Sequence, residues 1–127
     1  MITSIHFLDI NFGLLRVHLD ENPDVFGAAF AFVPFEKESR IIEIAPYVYR
    51  EDDTVVQKVL PAKYNYTSTL WYIKPVQLRE PVWSEPYYDE GGAGADVLMT
   101  TYSVPVYNED GKLIGVLTGD LLIKKGE

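Results

Sequence analysis

Hydrophobic positions in the first twenty residues follow a helical rhythm. Ile5, Leu8, Phe12, Leu15 and Leu19 recur at spacings of three and four, which predicts one apolar seam on a helix over residues 4–20. Ile10, Leu14 and Val17 widen that seam, Gly13 weakens it slightly, and Asn22-Pro23 stops it. Such a seam either packs on a sheet or pairs with the same helix of a second copy in a homodimer. The pattern alone leaves both open.

The period then shortens. Residues 26–34, FGAAFAFVP, form a compact apolar run and read as a buried central strand whose small residues leave room for the first helix. Residues 41–50 alternate loosely and carry Pro46, so they read as a strand with an irregular end near a sheet edge. Glu51-Asp52-Asp53 is a charged turn, and residues 54–60 are a weaker strand. The stretch 61–81 holds Tyr64, Tyr66, Trp71 and Tyr72 among few charges. Thr67-Ser68 caps a short helix at residues 70–73 that Pro75 should end. Three strands follow near 82–88, 96–107 and 112–123. Asn108-Glu109-Asp110-Gly111 joins the last two into a hairpin. The sum is one α+β domain over residues 1–127: a mainly antiparallel sheet of five or six strands with helices packed against it.

Composition narrows what this domain does. The 127 residues suffice for a single core. There is no cysteine, hence no disulfide, thiolate metal site or thiol nucleophile. A net charge of −8 argues against nucleic acid and anionic membrane surfaces as partners. No apolar run approaches the ~20 residues of a membrane-spanning helix, and no signal peptide is read. An extracytoplasmic placement would therefore rest on membrane segments outside this sequence.

The segment 83–123 carries the candidate chemistry. Tyr87, Asp89 and Asp120 can share one concave sheet face and form a pocket for a small polar or cationic ligand. The alternative is structural, since aspartates at strand ends often accept backbone N–H groups. Trp71 is expected at the pocket and Trp83 in the packing of the sheet. The acidic, glycine-rich residues 89–96 offer hard oxygen ligands, but their spacing does not fit a calcium-binding EF-hand loop. Cation binding there stays open beside a solvated loop. His6 and His18 lie twelve apart, not the three or four that a helical metal pair needs. Glu85 and Asp89 could pair for acid–base work, but Ser84 and Ser103 lack a nucleophile motif and no histidine lies near. The domain reads as a non-enzyme.

The motifs taken together resemble the Cache (PAS-like) sensor domain of bacterial histidine kinases and chemoreceptors. They are Tyr64-Asn65-Tyr66, Trp71-Tyr72, Trp83-Ser84-Glu85-Pro86-Tyr87 with Asp89, residues 100–106 (TTYSVPV), the turn 108–111 and residues 115–120 (GVLTGD). The resemblance spans nearly the whole chain. It implies a PAS-like fold, an extracytoplasmic position in a membrane-tethered signalling protein, no cofactor and no metal. By position it implies ligand contacts at Tyr64, Trp71, Tyr72, Tyr87, Asp89 and Asp120. Amino-acid-binding relatives place an arginine two residues before the tryptophan to hold the ligand's carboxylate; here Thr69 stands there, without a guanidinium's bidentate fork. The implied ligand is thus a small amine or another polar metabolite, with conformational change passed to an output module. A structural or dimerisation domain with no small ligand is the alternative.

Overall fold

The computed structural model describes residues 4–89 and 94–123, with side chains described over 8–88 and 97–123. The helix forms where the rhythm predicts it, as α1 (Ser4–Glu21). Leu8, Phe12, Leu15 and Leu19 pack with Ala28 and Val48 of the sheet, so the seam is a sheet-packing face. Ile10, Leu14 and Val17 do not widen it. Residues at i, i+4 and i+7 fall on one side of a helix, here the side away from the sheet. Leu14 is 65% exposed while its neighbour Leu15 is 3%.

The end of α1 is tied down by a side chain distant in sequence. The Arg50 guanidinium donates from Nη2 to the Leu19 carbonyl at 2.7 Å and from Nε to the Val25 carbonyl at 3.0 Å. A cation at a helix C-terminus also complements the helix dipole.

The strands that follow are β1 (Gly27–Phe32), β2 (Phe35–Lys37), β3 (Arg40–Ile42), β4 (Pro46–Glu51) and β5 (Thr54–Val59). The run read as one strand over 41–50 is divided. Glu38 and Ser39 both take positive φ, the backbone of a tight hairpin turn, so Ile41 pairs with Glu36 in a separate two-stranded ribbon. Pro46 then opens β4, a strand position that tolerates proline.

Two 3-10 turns, Ala62–Tyr64 and Tyr66–Ser68, lead into α2 (Leu70–Leu78). This helix runs past Pro75, which was expected to end it. Proline removes only one backbone bond, and here its ring is fully buried. The stop comes at Arg79, whose left-handed backbone lets its N–H bond the Pro75 carbonyl.

The remaining strands are β6 (Val82–Trp83), β7 (Tyr87–Asp89), β8 (Gly94–Tyr107) and β9 (Leu113–Leu122). The stretch 82–88 divides at Pro86 into two short strands, both paired with β8, which raises the sheet to seven strands. The order is β5-β4-β1-β9-β8-β6, every pairing antiparallel. In the 108–111 turn, Asn108 Oδ1 accepts the Asp110 and Lys112 amides and Gly111 sits at φ +81°. That turn fixes the β8–β9 register.

Alternation assigns the two sheet faces. The front face carries Ala29 and Ala31, Tyr47, Thr101 and Ser103, and Val116, Thr118 and Asp120. Trp71 and Tyr72 of the turn-and-helix segment cover it. The rear face meets α1 over β1 and β4. Beyond α1, Trp83 is 54% exposed on β6 and packs at a tilt against Tyr102 of β8 with ring centroids 4.8 Å apart. It was expected inside the sheet's packing. The expectation fails because β6 lies at the end of the sheet, past the reach of α1.

The two sides of α1 make a direct test. Leu15→Ala should destabilise the domain by about 2–5 kcal/mol, the usual cost of truncating a buried leucine. Leu14→Ala one position earlier should change stability by less than about 0.5 kcal/mol. Urea unfolding of both variants measures the contrast.

Candidate functional site

Asp120 lies on β9 opposite Gly27 of β1 and Thr101 of β8. Its front-face position buries it to 4% exposure. A buried carboxylate needs donors. Thr101 Oγ1 donates to Oδ1 at 2.8 Å, and the Tyr47 hydroxyl donates to Oδ2 at 3.1 Å. Thr101 has one hydroxyl proton, and it goes to the carboxylate. The 2.7 Å contact between Tyr87 and Thr101 therefore runs from the tyrosine, as a relay Tyr87 → Thr101 → Asp120.

Two backbone features make this arrangement possible. A Cβ on Gly27 would stand 2.8 Å from the Tyr47 hydroxyl and 3.1 Å from the Val48 carbonyl, so glycine makes room for the tyrosine to reach Asp120. Two residues along β1, the Ala29 amide bonds the Thr118 hydroxyl at 3.0 Å, a side chain taking the place of a ladder partner.

Asp120 forms the floor of a small cavity of about 10 Å³, walled also by Tyr47, Leu60, Thr101 and Thr118. A much larger cavity of about 560 Å³ adjoins it, lined by Lys63, Thr69, Leu70, Ser84, Glu85 and Tyr88 among others. Tyr64, Trp71 and Tyr87 line both and form the boundary between them. The Trp71 indole donates to the Tyr64 hydroxyl at 3.3 Å, fixing that boundary.

Of the six residues assigned from sequence, Tyr64, Trp71, Tyr87 and Asp120 thus meet at one place. Tyr72 does not join them. It is buried in the core, edge-on to Tyr66 at 5.6 Å and to Trp71 at 6.5 Å, and lines neither cavity. On α2 the side chains of Leu70 and Trp71 reach the large cavity, while Tyr72 turns to Tyr66 and the core. Asp89 ends β7; its side chain, like the cation question at 89–96 and the side chain of His6, lies outside the described residues. Thr69 lines the large cavity, but its hydroxyl donates back to the Tyr66 carbonyl at 2.7 Å.

Sequence reasoning missed Tyr47, Thr101 and Lys63 as site residues and raised Glu85 only as an acid–base partner of Asp89. Alternation on β4 and β8 could have put Tyr47 and Thr101 on the front face, but only strand order puts them beside Asp120. Lys63 and Glu85 come from irregular segments with no period to read. Among the described residues no three His, Asp or Glu side chains cluster to hold a metal.

Tyr66 anchors the covering segment. Its hydroxyl donates to the Phe32 carbonyl at 2.7 Å and accepts the Ile44 amide at 3.0 Å. Burial pushes this phenol up to about 12, the Ile44 amide pulling it partly back. Burial also raises Tyr72, with the charge of Glu43 adding to it.

The class of protein follows from this fold and from sequence. The pattern of the first PDC sensor domain of methyl-accepting-chemotaxis-protein-like receptors matches residues 13–125. The chain belongs to this family. It is a PDC/Cache-type sensor domain of the histidine-kinase and chemoreceptor kind, an extracytoplasmic class. Among solved structures it is similar to the extracellular domain of histidine kinase soHK1S-Z6, at 33% identity and TM-score 0.75 over 91% of this chain and 43% of that one. It shares its fold with methyl-accepting chemotaxis protein X, at 22% identity and TM-score 0.71 over 87% of this chain and 44% of that one. The extracellular domain of histidine kinase mmHK1S-Z3 has the same fold, at 23% identity and TM-score 0.68 over 91% of this chain and 44% of that one. The chain spans less than half the length of these structures. No curated protein matches it. No helix among the described residues is long and apolar enough to cross a membrane.

Two outcomes test this geometry. Gly27→Ala should force the Tyr47 ring off Asp120 and cost about 1–3 kcal/mol, as overpacking does, read by urea unfolding. The second concerns alkaline pH. Below pH 10 the Tyr66 phenol is neutral in folded and unfolded chains alike. Between 10 and about 12 the unfolded chain ionises first, so stability falls as pH rises through that window. In Tyr66→Phe the fall should be shallower, with Tyr72, also raised by burial, contributing to what remains. That variant should also lose about 1–3 kcal/mol at neutral pH by leaving the Ile44 amide unpaired. Thermal unfolding across pH 7–12 measures both effects.

Proposed function

We propose that this domain is the ligand-binding input of a bacterial transmembrane signalling protein, that it is not an enzyme, and that its ligand is a small amine or similar polar metabolite. The observation that carries this reading is the buried Asp120 carboxylate beneath an aromatic-walled cavity. A carboxylate supplies charge for an ammonium group, and the faces of Tyr64, Trp71 and Tyr87 supply cation–π attraction. Asp89 adds a second carboxylate to this assignment. Thr69, in the position of the relatives' arginine, spends its hydroxyl on its own backbone, which favours an ammonium over an α-carboxylate as the recognised group.

Transmission has a short path. The Asp120 carbonyl accepts the Phe26 amide at 2.8 Å, and the Phe26 carbonyl accepts the Arg50 amide at 2.9 Å. Arg50 in turn holds the end of α1. A ligand that draws Asp120 toward the cavity and orders the 61–81 segment shifts β9 relative to α1, biasing the downstream output between two states.

A second reading, a dimerisation domain with no small ligand, is favoured by the exposed stripe Ile10, Leu14 and Val17. A homodimer through α1 would use this stripe, because Phe12, Leu15 and Leu19 are occupied by the sheet.

A thermal-shift screen of metabolites followed by calorimetry separates the two. Amines should raise the melting temperature. Asp120→Ala should weaken their binding ten- to a hundred-fold, the equivalent of about 1.5–3 kcal/mol for a charged hydrogen bond. Preference for dicarboxylates, or unchanged affinity in the variant, overturns the amine assignment. A chain that binds no metabolite and sediments as a dimer supports the second reading.

A further inference from the structure

Thr101, Ser103, Thr118 and Asp120 are buried polar side chains of the front face. Three of them are hydrogen-bonded: Thr118 accepts the Ala29 amide, and Thr101 and Tyr47 donate to Asp120. Ser103 is the exception. It is 1% exposed, and its hydroxyl has no hydrogen-bond partner among the described residues. A hydroxyl cut off from water and from protein partners costs stability, and buried polar side-chain atoms are ordinarily met by protein or by a bound molecule.

Ser103 also lines a third cavity, of about 80 Å³, bordered by α2 and β6. Leu70, Trp71 and Pro75 of α2 and Val82 of β6 are its apolar walls. Lys74 and Glu85, one charge of each sign, line it too and are both exposed. Of the residues around the cavity at Asp120, only Trp71 is shared with this one. We propose that the Ser103 cavity is a second binding site, for a short neutral amide or alcohol, separate from the site over Asp120.

Size sets the first limit. One water molecule needs roughly 10–15 Å³ by the same measure, so about 80 Å³ is the room of several waters. It is well below the roughly 300 Å³ at which ordinary small-ligand sites begin, so the occupant has only a few non-hydrogen atoms. Charge sets the second. The buried polar group is a neutral hydroxyl, which donates one hydrogen bond and accepts two and so meets either an amide or an alcohol. An ion drawn against it would lose its hydration with no opposite charge buried beside it. The apolar walls take the short alkyl part. Leu70, Trp71, Ser84 and Glu85 line both this cavity and the large one. An occupant here thus packs on the indole that also bounds the Asp120 cavity, which gives the site a way to modulate the other.

Both tryptophans of the chain, Trp71 and Trp83, line this cavity, so intrinsic fluorescence reports its occupancy. Titrating the wild-type domain with propionamide, propionate and propylammonium compares one shape in three charge states. Propionamide should give a saturable change and bind at least ten-fold more tightly here than either ion. Ser103→Ala should weaken it roughly three- to ten-fold, as loss of one neutral hydrogen bond does, without destabilising the domain, because an unpaired group is removed. Val82→Phe, which fills the cavity, should abolish binding. Asp120→Asn should leave propionamide affinity unchanged, so failure of the amine reading at Asp120 does not touch this site. No saturable response to propionamide means a cavity filled by water alone and overturns the proposal. Propionamide binding that survives both Ser103→Ala and Val82→Phe also overturns it. So does a charged probe that binds as tightly as propionamide and is lost in Val82→Phe but kept in Asp120→Asn.

Discussion

The Asp120 carboxylate is the constraint around which the front of this domain is arranged. A polar group removed from water must be met by hydrogen-bond partners, and here they come from two other strands. Tyr47 on β4 and Thr101 on β8 reach it from opposite sides of β9. Their approach requires the absence of a side chain at Gly27. The β1–β9 ladder also gives way at Ala29, where Thr118 substitutes its hydroxyl for a backbone partner. Strand order, a glycine and a side-chain bond in the ladder therefore serve one buried polar group.

The rest of the domain follows from the sheet having two unlike faces. The rear face is apolar where α1 lies, and α1 is fixed to it by Leu15 and Leu19 along its length and by Arg50 at its end. The front face is polar in its middle, with Thr101, Ser103, Thr118 and Asp120 all buried. It is covered by aromatic side chains of two short turns and the nine-residue α2 rather than by a long helix. Tyr66 ties that cover down through two backbone groups, while Trp71 and Tyr64 form its inner boundary. A cover held at a few anchor points above a polar floor suits reversible ligand entry. A helix seated on an apolar face suits transmission of a displacement as a rigid unit.

Periodicity alone determined much of this protein. The three- and four-residue spacing in α1, the alternation in the last strands and the Asn108–Gly111 turn are local signals, and the elements they predict are present. The motif set from Tyr64 to Asp120 also pointed to the family, and four of its six positions converge on the cavities. The misread elements share a physical cause. Whether Ile10, Leu14 and Val17 join the seam depends on which side of the helix meets the sheet. Whether Pro75 ends α2 depends on what its ring packs against. Whether Trp83 is covered depends on how far α1 extends over the sheet. Each is a question about a neighbour distant in sequence. The same holds at the site: that Tyr47 and Thr101 flank Asp120, that Tyr72 turns into the core, and that Tyr64, Trp71 and Tyr87 line both a 10 Å³ cavity and a 560 Å³ one are properties of strand order and packing. A sequence carries the period of each element, but only the assembled sheet decides which elements become neighbours.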